Sequence, residues 1–208
     1  NKEDGWDFLG ISFKDYDVEK FLGGSVESFF VTDRYIFMEW MLPGLMRYDR
    51  LTGQRKAVIT DKGTGNYFGD GENIYYINSS LQLKSYSIKD EKESTLVDDM
   101  AIAEICIMRK GTISFKTYET NENNLYIYEN GKCESIGIKA DLFTAYDDRI
   151  FFTDGEGGLY SLKQGDEPIF ICQKHFDTLL AMNDNKYIFG SWRNENGEWE
   201  SGMIEKTH

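Results

Sequence analysis

Apolar and aromatic residues recur along this chain in short alternating runs, each set off by Asn, Asp or Gly. Five runs, DRYIFMEW, ENIYYIN, GTISFKTY, DRIFFTDG and NKYIFGSW, share a turn followed by β-branched and aromatic residues. Their isoleucines, Ile36, Ile74, Ile113, Ile150 and Ile188, fall 38, 39, 37 and 38 residues apart. Chance rarely produces intervals that agree so closely, so the chain is an array of one repeated unit.

Each unit divides into four short strands. In the second, NYFGD (66–70) and NIYYIN (73–78) are followed by LQLKSYSI (81–88) and STLVDD (94–99). The turns between first and second strands read TDRY, GDGEN, RKGT, YDDR and NDNK, and those between third and fourth read LTGQ, KDEK, ENGK and KQGD. Asn, Asp and Gly tolerate the positive φ angles that tight hairpins require. The pattern has no long amphipathic helical stretch, and only Pro43 and Pro168 interrupt it. Four antiparallel strands per repeat of about 40 residues predict an all-β fold, a β-propeller, with a stacked solenoid as the alternative.

Repeats starting near Ser25, Asn66, Ile102, Leu142 and Thr178 give five blades in one domain over residues 1–208. The last has only three strands before His208, and VEKFL near the N-terminus supplies a candidate fourth that would hide the ring's open edge. DFLGISF is then left as a second copy of a third strand. A larger propeller, or one blade of five strands, would also absorb it. Because the chain begins with Asn1, it reads as a processed or excised piece of a longer one.

Charge narrows the partners. Acids outnumber bases 36 to 23, for a net charge of −13. Such a surface repels phosphate backbones and anionic lipid, which disfavours nucleic-acid and membrane-surface binding. No apolar run reaches the roughly 18 residues needed to span a bilayer. Cys106, Cys133 and Cys172 are too few and too scattered for a disulfide framework or a metal site, and their apolar surroundings predict small buried residues. With its edges closed, such a ring has no need to associate, so a monomer is expected.

The run RIFFTDGEGGLYSLKQGD (149–166) resembles the YWTD-type repeat of lipoprotein-receptor propellers, with Phe151, Phe152, Thr153 and Asp154 at the signature positions. LMRYDRLTG (45–53) is similar to the third strand of many bacterial propellers. The whole chain resembles the bacterial domain family named after the propeller of lipoprotein-receptor-related proteins. That resemblance implies the propeller fold and an exported protein, extracellular or at the cell surface; it implies no particular ligand.

Candidate chemistry follows from the repeat register. Nine residues before each anchor isoleucine stand Glu27, Gly65, Glu104, Asp141 and Leu179. In a ring, Glu27, Glu104 and Asp141 would converge on the channel mouth. Two such carboxylates could hydrolyse a glycosidic bond, one protonating the leaving oxygen and the other attacking or activating water. Together they could instead hold Ca²⁺, which takes six or more oxygens. Four residues after each anchor come Trp40, Asn78, Thr117, Asp154 and Trp192, which places both indoles and Asp154 on one rim with Tyr118. Exposed aromatic rings there would stack on a sugar or anchor a protein. His175 and His208 form no metal-binding pattern, and neither a GxSxG elbow nor a P-loop is present. The balance favours a non-enzymatic binding or scaffold propeller that recognises a protein or glycan, with a carbohydrate-active enzyme as the alternative.

Overall fold

Side chains of a strand point alternately to its two faces, so an isoleucine followed by an aromatic residue is apolar on both. Such strands need cover on both sides. The computed structural model describes residues 7–8, 11–12, 26–40, 44–61, 63, 67–118, 124–181 and 187–205. It resolves the need by stacking five antiparallel sheets in chain order.

A two-residue pair, β1 (Asp7–Phe8) with β2 (Ile11–Ser12), comes first. The first blade is β3 (Val26–Val31), β4 (Tyr35–Trp40), β5 (Gly44–Asp49) and β6 (Arg55–Ile59). The second is β7 (Phe68–Gly69), β8 (Asn73–Ile77), β9 (Leu83–Ser87) and β10 (Lys92–Val97). The third is β11 (Ile102–Arg109), β12 (Thr112–Thr117), β13 (Leu125–Glu129) and β14 (Lys132–Ser135). The fourth is β15 (Phe143–Tyr146), β16 (Arg149–Thr153), β17 (Gly158–Lys163) and β18 (Ile169–Gln173). The fifth has three described strands, β19 (Phe176–Ala181), β20 (Tyr187–Arg193) and β21 (Trp199–Glu205). Each blade is a simple meander, and the first strands β7, β11, β15 and β19 stand side by side. That is the architecture of a β-propeller.

The anchor isoleucines hold one place in every blade. On the first strand they face Val31, Gly69, Ile107, Ala145 and Ala181. On the third they face Tyr48, Tyr86, Tyr128, Leu162 and Ile204. None is more than 5% exposed. Each core cluster lies between successive blades: Phe37 and Leu45 pack on Ile74 and Tyr86, then Tyr75 and Leu83 on Ile113 and Phe115. Leu125 and Ile127 meet Ile150 and Phe152, and Phe151 and Leu159 meet Ile188. The anchor isoleucines thus look back to the preceding blade, while Phe37, Tyr75 and Phe151, one residue on, look forward.

Polar tethers cross the same seams. The Ala145 amide donates to the Cys106 sulfur at 3.2 Å, and the Ala181 amide to the Thr144 hydroxyl at 3.1 Å. Asp70 joins the second and third blades. Its Oδ1 accepts from the Glu72 and Asn73 amides, and its Oδ2 from the Tyr75 hydroxyl at 2.8 Å and the Gly111 amide at 3.2 Å. Burial alone would raise the Asp70 carboxyl, but these donors outweigh it and hold the group below the usual aspartate value. A depressed folded pKa adds stability at neutral pH that is lost as the pH falls through it. Asp70→Asn should therefore cost about 1–3 kcal/mol at pH 7. The penalty should shrink below roughly pH 4, as urea midpoints taken across that range would show.

Two expectations need correction. Within DFLGISF, Asp7–Phe8 pairs antiparallel with Ile11–Ser12, so these residues form two short strands and not one third strand. Cys133 is exposed and Cys106 and Cys172 are half-buried. The reason for Cys133 is its place on β14, an outermost strand whose four residues all meet solvent. VEKFL, proposed to close the ring, lies outside the described residues.

Candidate functional site

Three of the candidate residues, Glu104, Tyr118 and Asp141, are linked around the end of β12 and the residues just before β15. β12 ends in Lys116 and Thr117, followed by Tyr118, whose amide is held by the Ala101 carbonyl at 2.9 Å. Residues two apart on an extended chain project to the same side, which places Lys116 and Tyr118 together. The Tyr118 ring is 55% exposed.

Lys116 is the centre of the arrangement. Its Nζ lies 3.3 Å from Oε2 of Glu104 on β11 and donates at 2.5 Å to the main-chain carbonyl of Asp141, just before β15. One ammonium therefore ties the third blade to the fourth, with both Glu104 and Asp141 exposed beside it. The Asp141 carboxylate faces the backbone at Gly155, where a Cβ would stand 3.8 Å from Oδ2. Lys116 thus engages the carboxylate of Glu104 but only the main chain of Asp141.

The register argument for converging acids meets an obstacle in the first strands. Bulges fall between Val26 and Phe29, Ile102 and Glu104, and Phe176 and Thr178. Each extra residue shifts the strand's facing pattern. Glu104 consequently lies within β11, Asp141 precedes β15, and the corresponding Leu179 is a half-buried core residue. Glu27 lies on β3, its side chain outside the described set. Among the described residues, no three His, Cys, Asp or Glu side chains form a group that could hold a metal ion.

The other rim candidates are engaged locally. Asp154 Oδ1 accepts from the Glu156 and Gly158 amides at 3.0 and 2.8 Å, closing the turn between β16 and β17. Burial would raise its carboxyl, but those amides and the Tyr160 hydroxyl hold it low. Asn78 closes the corresponding turn of the second blade through the Ser80 and Gln82 amides. In these two blades the position serves turn closure. Trp192 packs edge-on against Phe176, carries the Lys174 ammonium over its ring at 3.5 Å, and donates from Nε1 to Glu200 at 2.9 Å. Trp40 ends β4, and its side chain lies outside the described set.

Sequence reasoning missed Lys116. The available signal was its register: three residues after the anchors stand Glu39, Ile77, Lys116, Thr153 and Ser191, so this is the single cation at that position in an acidic chain.

With this geometry in place, the comparisons bear on the fold alone. No family model matches the chain, and no curated protein matches it in sequence. The solved structures it resembles are β-propeller and WD40-like proteins, which defines its class. It superimposes on PorZ, a bacterial surface component of the type-IX secretion system of Porphyromonas gingivalis, with a TM-score of 0.59 and 11% identity, over 88% of this chain and 28% of that one. An oligogalacturonate lyase solved with manganese gives 0.59 and 11%, over 83% of this chain and 63% of that one. The WD40 repeats of RRP9 give 0.57 and 11%, over 80% and 57%. The chain therefore spans less than two thirds of the length of each.

Proposed function

We propose that this chain is an exported, non-enzymatic binding propeller, acting as one domain, that recognises a protein or glycan through the rim carrying Tyr118. The observation supporting this reading is the Lys116 bridge beside an exposed aromatic ring. A fixed ammonium–carboxylate pair offers donors and acceptors, and the adjacent ring offers a flat apolar face. Sugar rings and peptide side chains are both held by that combination. Export rests on the resemblance to lipoprotein-receptor-type propellers.

The test is retention on an array of immobilised neutral and acidic oligosaccharides and peptides. Tyr118→Ala should weaken retention by at least about tenfold, near 1.4 kcal/mol, with an unchanged Tm because the ring is exposed. Lys116→Ala should weaken it as much and also lower Tm slightly. Equal retention by parent and both variants would reject the reading.

The enzymatic alternative draws on Glu104 and Asp141, exposed on adjacent blades, with Glu27 as third acid. The lyase among the structural neighbours keeps it worth an assay. It requires a sugar substrate to be cleaved, and Glu104→Gln to abolish turnover while the fold survives.

A further inference from the structure

Each seam between blades has an outer end, where the third and fourth strands of one blade meet the hairpin turn of the next. In the first seam that end is closed by charge. Arg47 on β5 and Lys56 on β6 stand opposite each other. Both donate to Glu91 in the β9–β10 turn of the second blade, Arg47 at 2.8 Å. The third seam places different side chains at the same positions. Arg47 lies across from Phe37 and Ile127 across from Ser114, each one residue past an anchor isoleucine. Opposite Ile127 stands Glu134 on β14, where the first seam has its lysine. What faces it from the β17–β18 turn is the uncharged Gln164.

The seam therefore stays open there, as a cavity of about 310 Å³ lined by Ile127, Glu129, Asn130, Lys132, Glu134 and Gln164. Ile127 is buried and forms its apolar wall. Glu129 is partly occupied: its Oε1 accepts from Arg109 and from the Thr112 hydroxyl, both at 2.7 Å. The side chains of Asn130, Lys132, Glu134 and Gln164 make no hydrogen bond or ion pair with any described residue. Four polar groups from two blades thus border one cavity with their bonding capacity unused.

We infer that this cavity is a binding site for a free α-amino acid with a polar side chain. Glu134 accepts the ligand's ammonium, as Glu91 accepts that of Lys56 in the first seam. Lys132 donates to its carboxylate. The two residues lie two apart on β14, so they project to the same side from points roughly 7 Å apart. Their long stems close that span onto a zwitterion whose charges are adjacent. Asn130 and Gln164, one from each turn, offer amide donors and acceptors to the ligand's side chain. The volume is at the lower limit of small-molecule sites, which fits an amino acid and excludes an oligosaccharide. The site is also distinct from the recognition rim. Glu129 pairs with Thr112 and Leu125 with Lys116, so cavity and Tyr118 lie at opposite ends of β12.

Titration calorimetry on the complete 208-residue chain with L-glutamine, L-asparagine, L-serine and L-threonine decides the matter. At least one should bind with a Kd below about 1 mM, as suits a ligand of this size. Its analogues lacking the α-carboxylate or the α-ammonium should each bind at least about tenfold more weakly. Glu134→Gln and Lys132→Met should weaken binding as much, with Tm unchanged because both residues are exposed. Gln164→Arg supplies a cation from the fourth blade, closing the seam as the first is closed with the signs reversed. It should abolish binding while the fold survives. No binding of any of the four at about 10 mM, or binding equally strong in both charge variants, would overturn the inference.

Discussion

Ile150→Asp should lower the protein's Tm by at least about 10 °C and Ile74→Asp by a similar amount. Ile150 is 1% exposed, between Ala145 and Leu162, and packs on Leu125 and Ile127 of the preceding blade. Truncating such a side chain costs about 2–5 kcal/mol. A carboxyl in its place adds desolvation with no donor nearby. A chain of this size loses roughly 2–4 °C per kcal/mol, which sets the lower bound. Ile74 is fully buried at the equivalent seam one blade pair earlier. Calorimetry on both variants, with Lys163→Asp as an exposed control, measures the effect. Parent-like melting of the isoleucine variants would mean that the anchor positions do not lie between blades.

The second large effect is expected at a glycine. Gly44 opens β5 with φ at +112°, and a Cβ there would stand 2.2 Å from the Ile59 carbonyl oxygen. Both the φ and the clash involve backbone, so no rotamer change relieves them. Gly44→Ala should cost about 3–5 kcal/mol, combining dihedral strain of 1–3 kcal/mol with displacement of β6. Gly131→Ala is the matched control. It too has positive φ, +77°, but its Cβ would meet nothing within 4 Å, so only about 1 kcal/mol is at stake. Urea denaturation of the pair separates the two contributions: a cost at Gly44 no larger than at Gly131 would show that β6 yields freely.

What was legible in the sequence follows from which forces act locally. The anchor isoleucines and the turn residues encode the repeat directly, because a hairpin needs Gly, Asn or Asp at its tip and a two-faced strand needs apolar residues on both sides. The predicted strands of the second repeat accordingly overlap β7 to β10 closely. The first strands were harder, since the bulges near Glu104 and Thr178 add residues that no periodicity announces. Cys133 shows a related limit: KCESIGI reads as an apolar strand, yet an outermost strand has little left to pack against. Burial depends on where a strand sits in its blade as much as on its own pattern.

The rim divides in the same way. Tyr118 was found because an aromatic residue at a strand end is conspicuous. Lys116 was not, because its importance lies in joining Glu104 of one blade to the Asp141 main chain of the next. Asp154 stands out by its rim register, four residues after its anchor isoleucine, and its carboxylate serves the turn it begins. A residue type names a possible chemistry; only its neighbours show whether its atoms are already taken.

The most direct test of the account is hydrogen–deuterium exchange on the intact chain, with and without the oligosaccharide or peptide retained most strongly on the array. The account predicts added protection at residues 116–118 and 141–142, lost in Tyr118→Ala, with the ligand recovered unchanged. Protection confined to other blades, or ligand recovered cleaved by the parent but intact after incubation with Glu104→Gln, would contradict it.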